Sequence, residues 1–289
     1  MPDYVRARTL EEALAVKASR DVAVLAGGTD IYPAWATRRA WGEPAHKDVL
    51  DIGALAELRG VALGPDHWRF GALTTWRDVI EARLPAMFAG LRQAAREVGG
   101  AQVQNRGTVA GNLCTASPAG DGIPCLLALD AEVELTSLRA VRRLPLAAFN
   151  IGYRRTALEP DEIVTAVLVP TRGGASRGVF LKLGARRYLV ISIAMVSAVI
   201  EADPGGLILR AAIAVGACGP AAQRLPLLEA ELIGQPLPLA SVLVQPRHLD
   251  GLSPIDDVRA SADYRRAAAG ELVRDALRDI ARDDRRRAA

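Results

Sequence analysis

Cysteine, histidine and aromatic residues are scarce in this chain of 289 residues, and each scarcity closes off a kind of chemistry. The three cysteines, Cys114, Cys125 and Cys218, fall short of the thiolate set that an iron–sulfur cluster usually takes, so the chain cannot ligate such a cluster alone. No Cys-x-x-Cys or His-x-x-x-His pairing occurs, and His46, His67 and His248 stand far apart, which argues against a metal site. An odd, scattered set of cysteines also argues against a disulfide framework. Long apolar runs are missing: none approaches the roughly 18 to 20 residues of a membrane span. Met1-Pro2-Asp3-Tyr4 carries neither the basic nor the apolar region of a secretory signal. The expectation is a cytoplasmic protein. Charge of one sign is missing too, since the formal net charge is +3 with acids and bases interspersed. Neither nucleic acid nor an anionic membrane is implied as a partner. The Arg-rich stretch from Arg282 to Arg287 is interrupted by Asp283 and Asp284 and reads as a solvated helix terminus.

What is present suits a soluble globular chain of two domains or one large one, with 50% hydrophobic and 24% charged residues. Thr9-Leu-Glu-Glu12 is a capping-box pattern, with a short helix expected after it. Val22 to Leu25 reads as a buried strand ended by Gly27-Gly28, and Ile31 to Arg39 as a helix that tolerates Pro33 in its first turn. A strand is expected at Val49 to Ile52, a hairpin from Val61 to Leu63 and Trp68 to Leu73, and a helix capped by Thr75. One helix is expected over Pro85 to Val98 and another over Pro124 to Leu129, followed by strands near Val133 to Thr136, Ala140 to Arg143 and Ile163 to Val169. Gly173-Gly174 reads as a boundary. Beyond it, Val179 to Leu183, Ser192 to Ile200 and Leu207 to Val215 read as strands, and Tyr264 to Ile280 places apolar residues at helical spacing.

The chemistry concentrates in two loops. Leu25-Ala-Gly-Gly-Thr-Asp30 offers successive backbone N–H groups without Cβ obstruction at the start of a helix whose dipole favours an anion. That suits a dinucleotide pyrophosphate, although a double glycine also makes an ordinary tight turn and the Rossmann spacing G-x-G-x-x-G is absent. Thr108-Val-Ala-Gly-Asn-Leu-Cys-Thr-Ala-Ser-Pro-Ala-Gly120 crowds small residues and hydroxyls together without strand or helix periodicity. Gly111 can let backbone approach a phosphate, Thr108, Asn112, Thr115 and Ser117 add polar groups, and Asp121 can accept from sugar or ribityl hydroxyls. A polar surface loop with an Asn-capped turn is the plainer reading of the same residues.

Ala26-Gly-Gly-Thr-Asp30, Asn105-Arg-Gly-Thr-Val-Ala-Gly-Asn112, Thr115-Ala-Ser-Pro118 with Asp121, and Gly152-Tyr-Arg-Arg-Thr156 occur in one order and spacing. Together they resemble the FAD-binding (medium) subunit of the molybdenum hydroxylases, the xanthine dehydrogenase and carbon monoxide dehydrogenase family. Gly216-Ala-Cys-Gly-Pro220 and Asp257-Val-Arg-Ala-Ser-Ala-Asp-Tyr-Arg-Arg266 resemble that family's C-terminal domain, so the likeness covers nearly the whole chain.

The resemblance implies an α+β chain: a two-subdomain FAD-binding domain of the PCMH type over 1–173, split near 55–60, and a C-terminal domain over 174–289 with an antiparallel sheet and helical bundle. By matching position it assigns Leu25, Ala26, Gly27, Gly28, Thr29, Asp30, Thr108, Gly111, Asn112 and Thr115 to the FAD pyrophosphate and ribityl chain, with Asp121 on hydroxyls. Ile163 and Val164 match an apolar pair beside the adenine or flavin, and Lys182 matches a flavin-contacting lysine. An edge-strand lysine is the alternative for Lys182. A carboxylate repels a pyrophosphate, so Asp30 is expected to turn away and cap or brace its helix. Tyr153 and Arg154 suit a pocket support or a plain surface equally well, and Cys114 reads as packing rather than as a covalent flavin link.

The implied function is an electron-transfer subunit. A large subunit would carry molybdopterin, a small one two 2Fe–2S clusters, and electrons would pass to FAD and on to NAD or another acceptor, in a dimer of heterotrimers. The alternatives are a stand-alone flavin oxidoreductase of the same architecture and a nucleotide-binding regulatory module.

Overall fold

The computed structural model describes residues 3–43, 47–172 and 175–288, with side chains described as far as Arg282. The expected boundary at Gly173-Gly174 lies outside the described residues, as do the side chains of Asp283 to Arg287.

The first unit is β1 (Tyr4–Arg6), α1 (Leu10–Ser19), β2 (Val22–Leu25), α2 (Ile31–Ala40) and β3 (Asp48–Asp51). β3 lies in the middle and runs parallel to both neighbours, in the order β1-β3-β2. Thr9 starts α1 by accepting the Glu12 N–H at 3.1 Å, while the Glu12 carboxylate reaches back to the Arg8 N–H at 2.7 Å. The capping box is present with its return bond shifted by one residue.

The second unit is β4 (Val61–Leu63), β5 (His67–Gly71), α3 (Trp76–Glu81), α4 (Ala89–Glu97), α5 (Ala101–Gln104), α6 (Val109–Thr115), α7 (Gly122–Ala128), β6 (Glu132–Thr136), β7 (Val141–Pro145), α8 (Leu146–Phe149), β8 (Asn150–Gly152), β9 (Arg155–Thr156) and β10 (Ile163–Pro170). Its five-stranded antiparallel sheet runs β4-β5-β10-β6-β7. The central strand is the one whose residues are buried from Ile163 through Val169, which is why it reads as a continuous run rather than an alternation. The helix expected from Pro85 to Val98 is broken: a 3-10 turn occupies Ala86–Phe88, and α4 starts from Phe88. The segment from Thr108, expected to lack helix, contains α6.

The third unit is β11 (Ala175–Leu183), β12 (Ala194–Ala202), β13 (Ile208–Gly216), β14 (Gln223–Arg224), α9 (Pro226–Leu232) and α10 (Ala262–Ala288). Its antiparallel sheet runs in chain order. β12 is buried on both faces, and its residues divide by the two-residue period of a strand. Met195 and Val199 join a core shared with the first two units, while Ala194, Val196, Ala198 and Ile200 join a second core. Onto that second core α10 lays Ala269, Val273, Ala276, Leu277 and Ile280.

Candidate functional site

The two glycine-bearing loops meet. A Cβ on Gly27 would stand 1.9 Å from the Arg106 carbonyl oxygen, so only glycine lets the turn after β2 close onto the backbone that leads into α6. Gly28 follows in the left-handed region at φ +75°. Along this seam lies a cleft of about 530 Å³, lined by Ala26 to Ile31 from one loop and by Gly107, Thr108, Gly111, Asn112, Cys114 and Thr115 from the other. Val24, Ala34, Trp35, Arg38, Trp76, Val98, Val103 and Arg154 complete it.

α6 owes its existence to its ends. At its start the Thr108 hydroxyl accepts the Gly111 N–H at 3.0 Å. At its finish Ala116 enters the left-handed region at φ +45°, and the β8–β9 hairpin props it up. Asn150 Nδ2 donates to the Leu113 carbonyl at 2.9 Å, and the Arg154 N–H donates to the Ala116 carbonyl at 3.0 Å. Arg154 is itself left-handed at φ +50°, and two non-glycine residues in this region hold a strain of about 1 kcal/mol or more each. Their hydrogen bond to one another fixes Arg154 at the edge of the cleft.

The structure puts the expected site residues in three places. Leu25 to Asp30, Thr108, Gly111, Asn112 and Thr115 lie together along the seam. Asp121 and Lys182 lie against each other, with Lys182 Nζ donating to Asp121 Oδ2 at 2.6 Å and Ser192 Oγ donating to Oδ1 at 2.7 Å. Burial pushes the Asp121 carboxyl upward, Lys182 and Ser192 draw it down, and both members of the pair are almost wholly enclosed. Ile163 and Val164 sit in the core of β10, paired with Thr136 and Leu135.

Within the seam the roles differ from those read in the sequence. The Thr108 oxygen and the Gly111 N–H are already bonded to each other. Asp30 stands at the start of α2 without capping it, and its carboxylate instead reaches Arg154 Nη1 at 3.5 Å. Cys114 is open to the cleft, yet protein atoms surround its sulfur and push its thiol up to about 12, so it stays protonated. Arg38, Trp35 and Trp76 also line the cleft and were not foreseen as site residues. The indole of Trp76 was legible as a core residue only, although its ring backs the loop at Gly122.

The fit to an extended dinucleotide rests on this set of donors and one acceptor. Small residues and two loop backbones form the wall, Arg38 and Arg154 supply cationic groups, and the Asn112 Oδ1 is buried without a hydrogen-bond partner among the described residues. No group of three or more metal-ligating side chains occurs among the described residues.

An α+β two-lobed unit with a backbone-walled cleft, followed by an antiparallel sheet carrying helices, defines a flavoprotein of the dinucleotide-binding kind. Residues 1–172 match the FAD binding domain in molybdopterin dehydrogenase, and residues 180–280 match the CO dehydrogenase flavoprotein C-terminal domain. The chain is 34% identical to the nicotinate dehydrogenase FAD-subunit of Eubacterium barkeri, over 83% of this chain and 82% of that one. It is 32% identical to the nicotine 6-hydroxylase medium subunit of Paenarthrobacter nicotinovorans, over 94% of each. Among solved structures it superposes on carbon monoxide dehydrogenase from Hydrogenophaga pseudoflava with a TM-score of 0.85, at 27% identity and 96% coverage of both chains. The chain belongs to the FAD-binding medium subunits of the molybdenum hydroxylases and is an oxidoreductase subunit.

Proposed function

We propose that this chain is the electron-transfer subunit of a three-component molybdenum hydroxylase and that its FAD lies in the cleft between residues 25–30 and 107–115. The observation that carries the reading is the closure of Gly27 on the Arg106 carbonyl, which joins two backbone loops along one cleft of about 530 Å³. The first turn of α2 favours the pyrophosphate through the helix dipole. Arg154 and Arg38 offer charge-assisted bonds, each worth about 1.5 to 3 kcal/mol, and Asn112 Oδ1 offers a buried acceptor. Asp121, Lys182, Ile163 and Val164 belong to the proposed site on family resemblance alone, because their side chains are engaged with protein groups or lie in the core.

FAD, when bound, accepts electrons singly and releases two together, to NAD or to another acceptor. The polypeptide holds and orients it and keeps water from its buried edge; no protein acid or base is required. Substrate oxidation falls to a molybdopterin-bearing large subunit, and a small subunit with two 2Fe–2S clusters relays the electrons. A dimer of such heterotrimers in the cytoplasm is the proposed assembly. No helix among the described residues is long and apolar enough to cross a membrane. The proposed division into 1–173 and 174–289, with the first part split near 55–60, follows the spans of the three larger sheets.

The test is an absorption spectrum of the chain purified with whatever accompanies it, before and after heat release of small molecules. Flavin bands released as FAD, with cluster absorbance that tracks the partner subunits, are expected. A colourless chain that takes up no added FAD would overturn the reading.

A further inference from the structure

α2 is a helix without a packed face. None of its residues is buried, and none belongs to either core or to the apolar residues packed against one. It is 10 residues long and Asp30 gives it no side-chain cap; a helix of that length is marginal in water unless something covers one side of it. Its far end is closed by local bonds. Gly42, left-handed at φ +73°, donates its N–H to the Arg39 carbonyl, and the Glu43 N–H donates to the Arg38 carbonyl, each at 3.1 Å.

One side of α2 nevertheless differs from the rest. Ile31, Ala34, Trp35 and Arg38 recur at helical spacing, and all four line the cleft proposed for FAD. The first three are half-buried, and the remaining residues of the helix are exposed. Tyr32 lies over Gly28 and meets Trp35 edge-on, with ring centroids 5.9 Å apart at 88°, which braces the indole. Val24, Val98 and Val103 add apolar lining from outside the helix. Arg38 pairs with Glu43 at 3.5 Å, but both side chains are more than half exposed, so the contact holds the guanidinium weakly.

The cleft has a direction. Arg154 stands at the start of α2, where it meets Asp30, and Trp35 and Arg38 lie about one and two turns further along. At Arg154 the cleft adjoins a cavity of about 560 Å³ whose lining includes Ser117 and Ser192, and Ser192 donates to Asp121. Asp121 and Lys182, which family likeness sets on the ribityl hydroxyls and the flavin, therefore lie on the Arg154 side. The half of the dinucleotide left for α2 is the adenosine.

Resting on the function proposed above, we propose that α2 is the adenosine-binding element of the cofactor site: Trp35 stacks on the adenine, and the base covers the side of the helix that no protein group covers. A purine suits this place, because its two faces bury against an indole and aliphatic side chains while its polar edge stays in water. Arg38 supplies a donor at the outer end. FAD carries this half and FMN lacks it, so α2 also selects FAD over FMN, and its order depends on the cofactor.

The test uses the full chain freed of FAD, with amide hydrogen exchange followed by mass spectrometry over residues 31–41 and, as a reference, over β10. Saturating FAD and saturating ADP should each slow exchange over 31–41 at least tenfold, and FMN should leave it as in the apoprotein. Trp35→Ala should weaken FAD and ADP at least tenfold and remove the protection, Trp35→Phe should restore most of it, and exchange over β10 should match the unaltered chain in both variants. Stoichiometric FAD with α2 exchanging as in the apoprotein, or protection by FMN and not by ADP, would overturn the adenosine assignment while leaving FAD bound to the chain. A chain that takes up neither FAD nor ADP would sink the proposed function as well.

Discussion

Gly27 is the residue at which packing and site coincide. Any side chain there must displace the Arg106 carbonyl, which belongs to backbone and cannot swing aside. Gly27→Ala is therefore expected to cost about 1 to 3 kcal/mol of stability, as overpacking does, and to strip FAD by forcing the seam apart; urea unfolding and flavin stoichiometry measure both. Retained stoichiometric FAD would show that the seam does not shape the site. Thr108 and Gly111 teach the opposite lesson about reading single residues. Both stood out in the sequence as groups for a ligand, yet they bond each other, because a threonine at a helix start serves the orphan N–H groups of its own first turn. Whether an oxygen faces a ligand or its own helix is decided three residues away. Asp257 carries a pH dependence of its own. The Arg259 N–H, and then the Arg265 and Arg259 guanidiniums, hold its carboxyl down at about 2, against burial that opposes the shift. A carboxylate depressed in the folded state stabilises above its unfolded value, and that contribution is lost as pH falls through its folded value. The stability difference between the unaltered protein and Asp257→Asn should thus be full at neutral pH and shrink between about pH 4 and pH 2. A difference that does not change over that window would place the carboxylate outside the network.

α7 ties the second unit to the third because both of its ends carry an aspartate that meets third-unit side chains, joined at Asp130 by Arg172 from the connection between the units. Asp121 precedes it and meets Lys182 and Ser192; Asp130 follows it and meets Arg172, Arg210 and Arg224. Arg224 is held a second time by Glu229, in a bidentate pair. Removing Asp130 leaves Arg172, which is almost fully buried, without the carboxylate it now meets. Breaking a buried pair costs about 3 to 5 kcal/mol, but Asp130 is about one-third exposed, so solvent should reduce Asp130→Ala to roughly 1 to 3 kcal/mol. In a double-mutant cycle with Arg210→Ala the effects should fall short of additivity, since both changes break the same contact; strict additivity would contradict a shared hub. Elements of this length divide sharply in how legible they are. β12 and β13 are long, mostly apolar runs bounded by turns, and α10 repeats apolar residues at helical spacing, so all three were legible. α6 spans Val109–Thr115 and includes Gly111 and Asn112, both poor helix formers, so its order comes from Thr108 at one end and from Asn150 and Arg154 at the other. β1, β9 and β14 are two or three residues long and exist only through their partners. No local pattern announces them.

At the scale of the molecule, the cleft proposed for FAD is built where the units adjoin: its walls come from α2 of the first unit, from α6 and the β8–β9 hairpin of the second, and the cavity sharing Arg154 extends to the third. This architecture was legible through motif order rather than through any single motif, because the glycine turn alone fits many structures while four motifs in sequence fit few. What stayed hidden was the long-range pairing, such as Lys182 with Asp121 and Asp30 with Arg154, which depends on how distant segments fold back. A ligand spanning walls from two units should tie their stabilities together. Because FAD binds the folded chain and not the unfolded one, free FAD at a hundred times its dissociation constant should add about 2.7 kcal/mol to stability. For a chain of this size that corresponds to a rise in melting temperature of roughly 4 to 5 °C. Calorimetry of the apoprotein with and without FAD should show this shift in the transition that includes residues 4–170, and Gly27→Ala should abolish it while Asp130→Ala, weakened overall, should keep it. Equal melting temperatures with and without FAD would mean that the cleft does not hold the cofactor. A shift that survives Gly27→Ala would mean that FAD is held somewhere other than the seam where the two loops close.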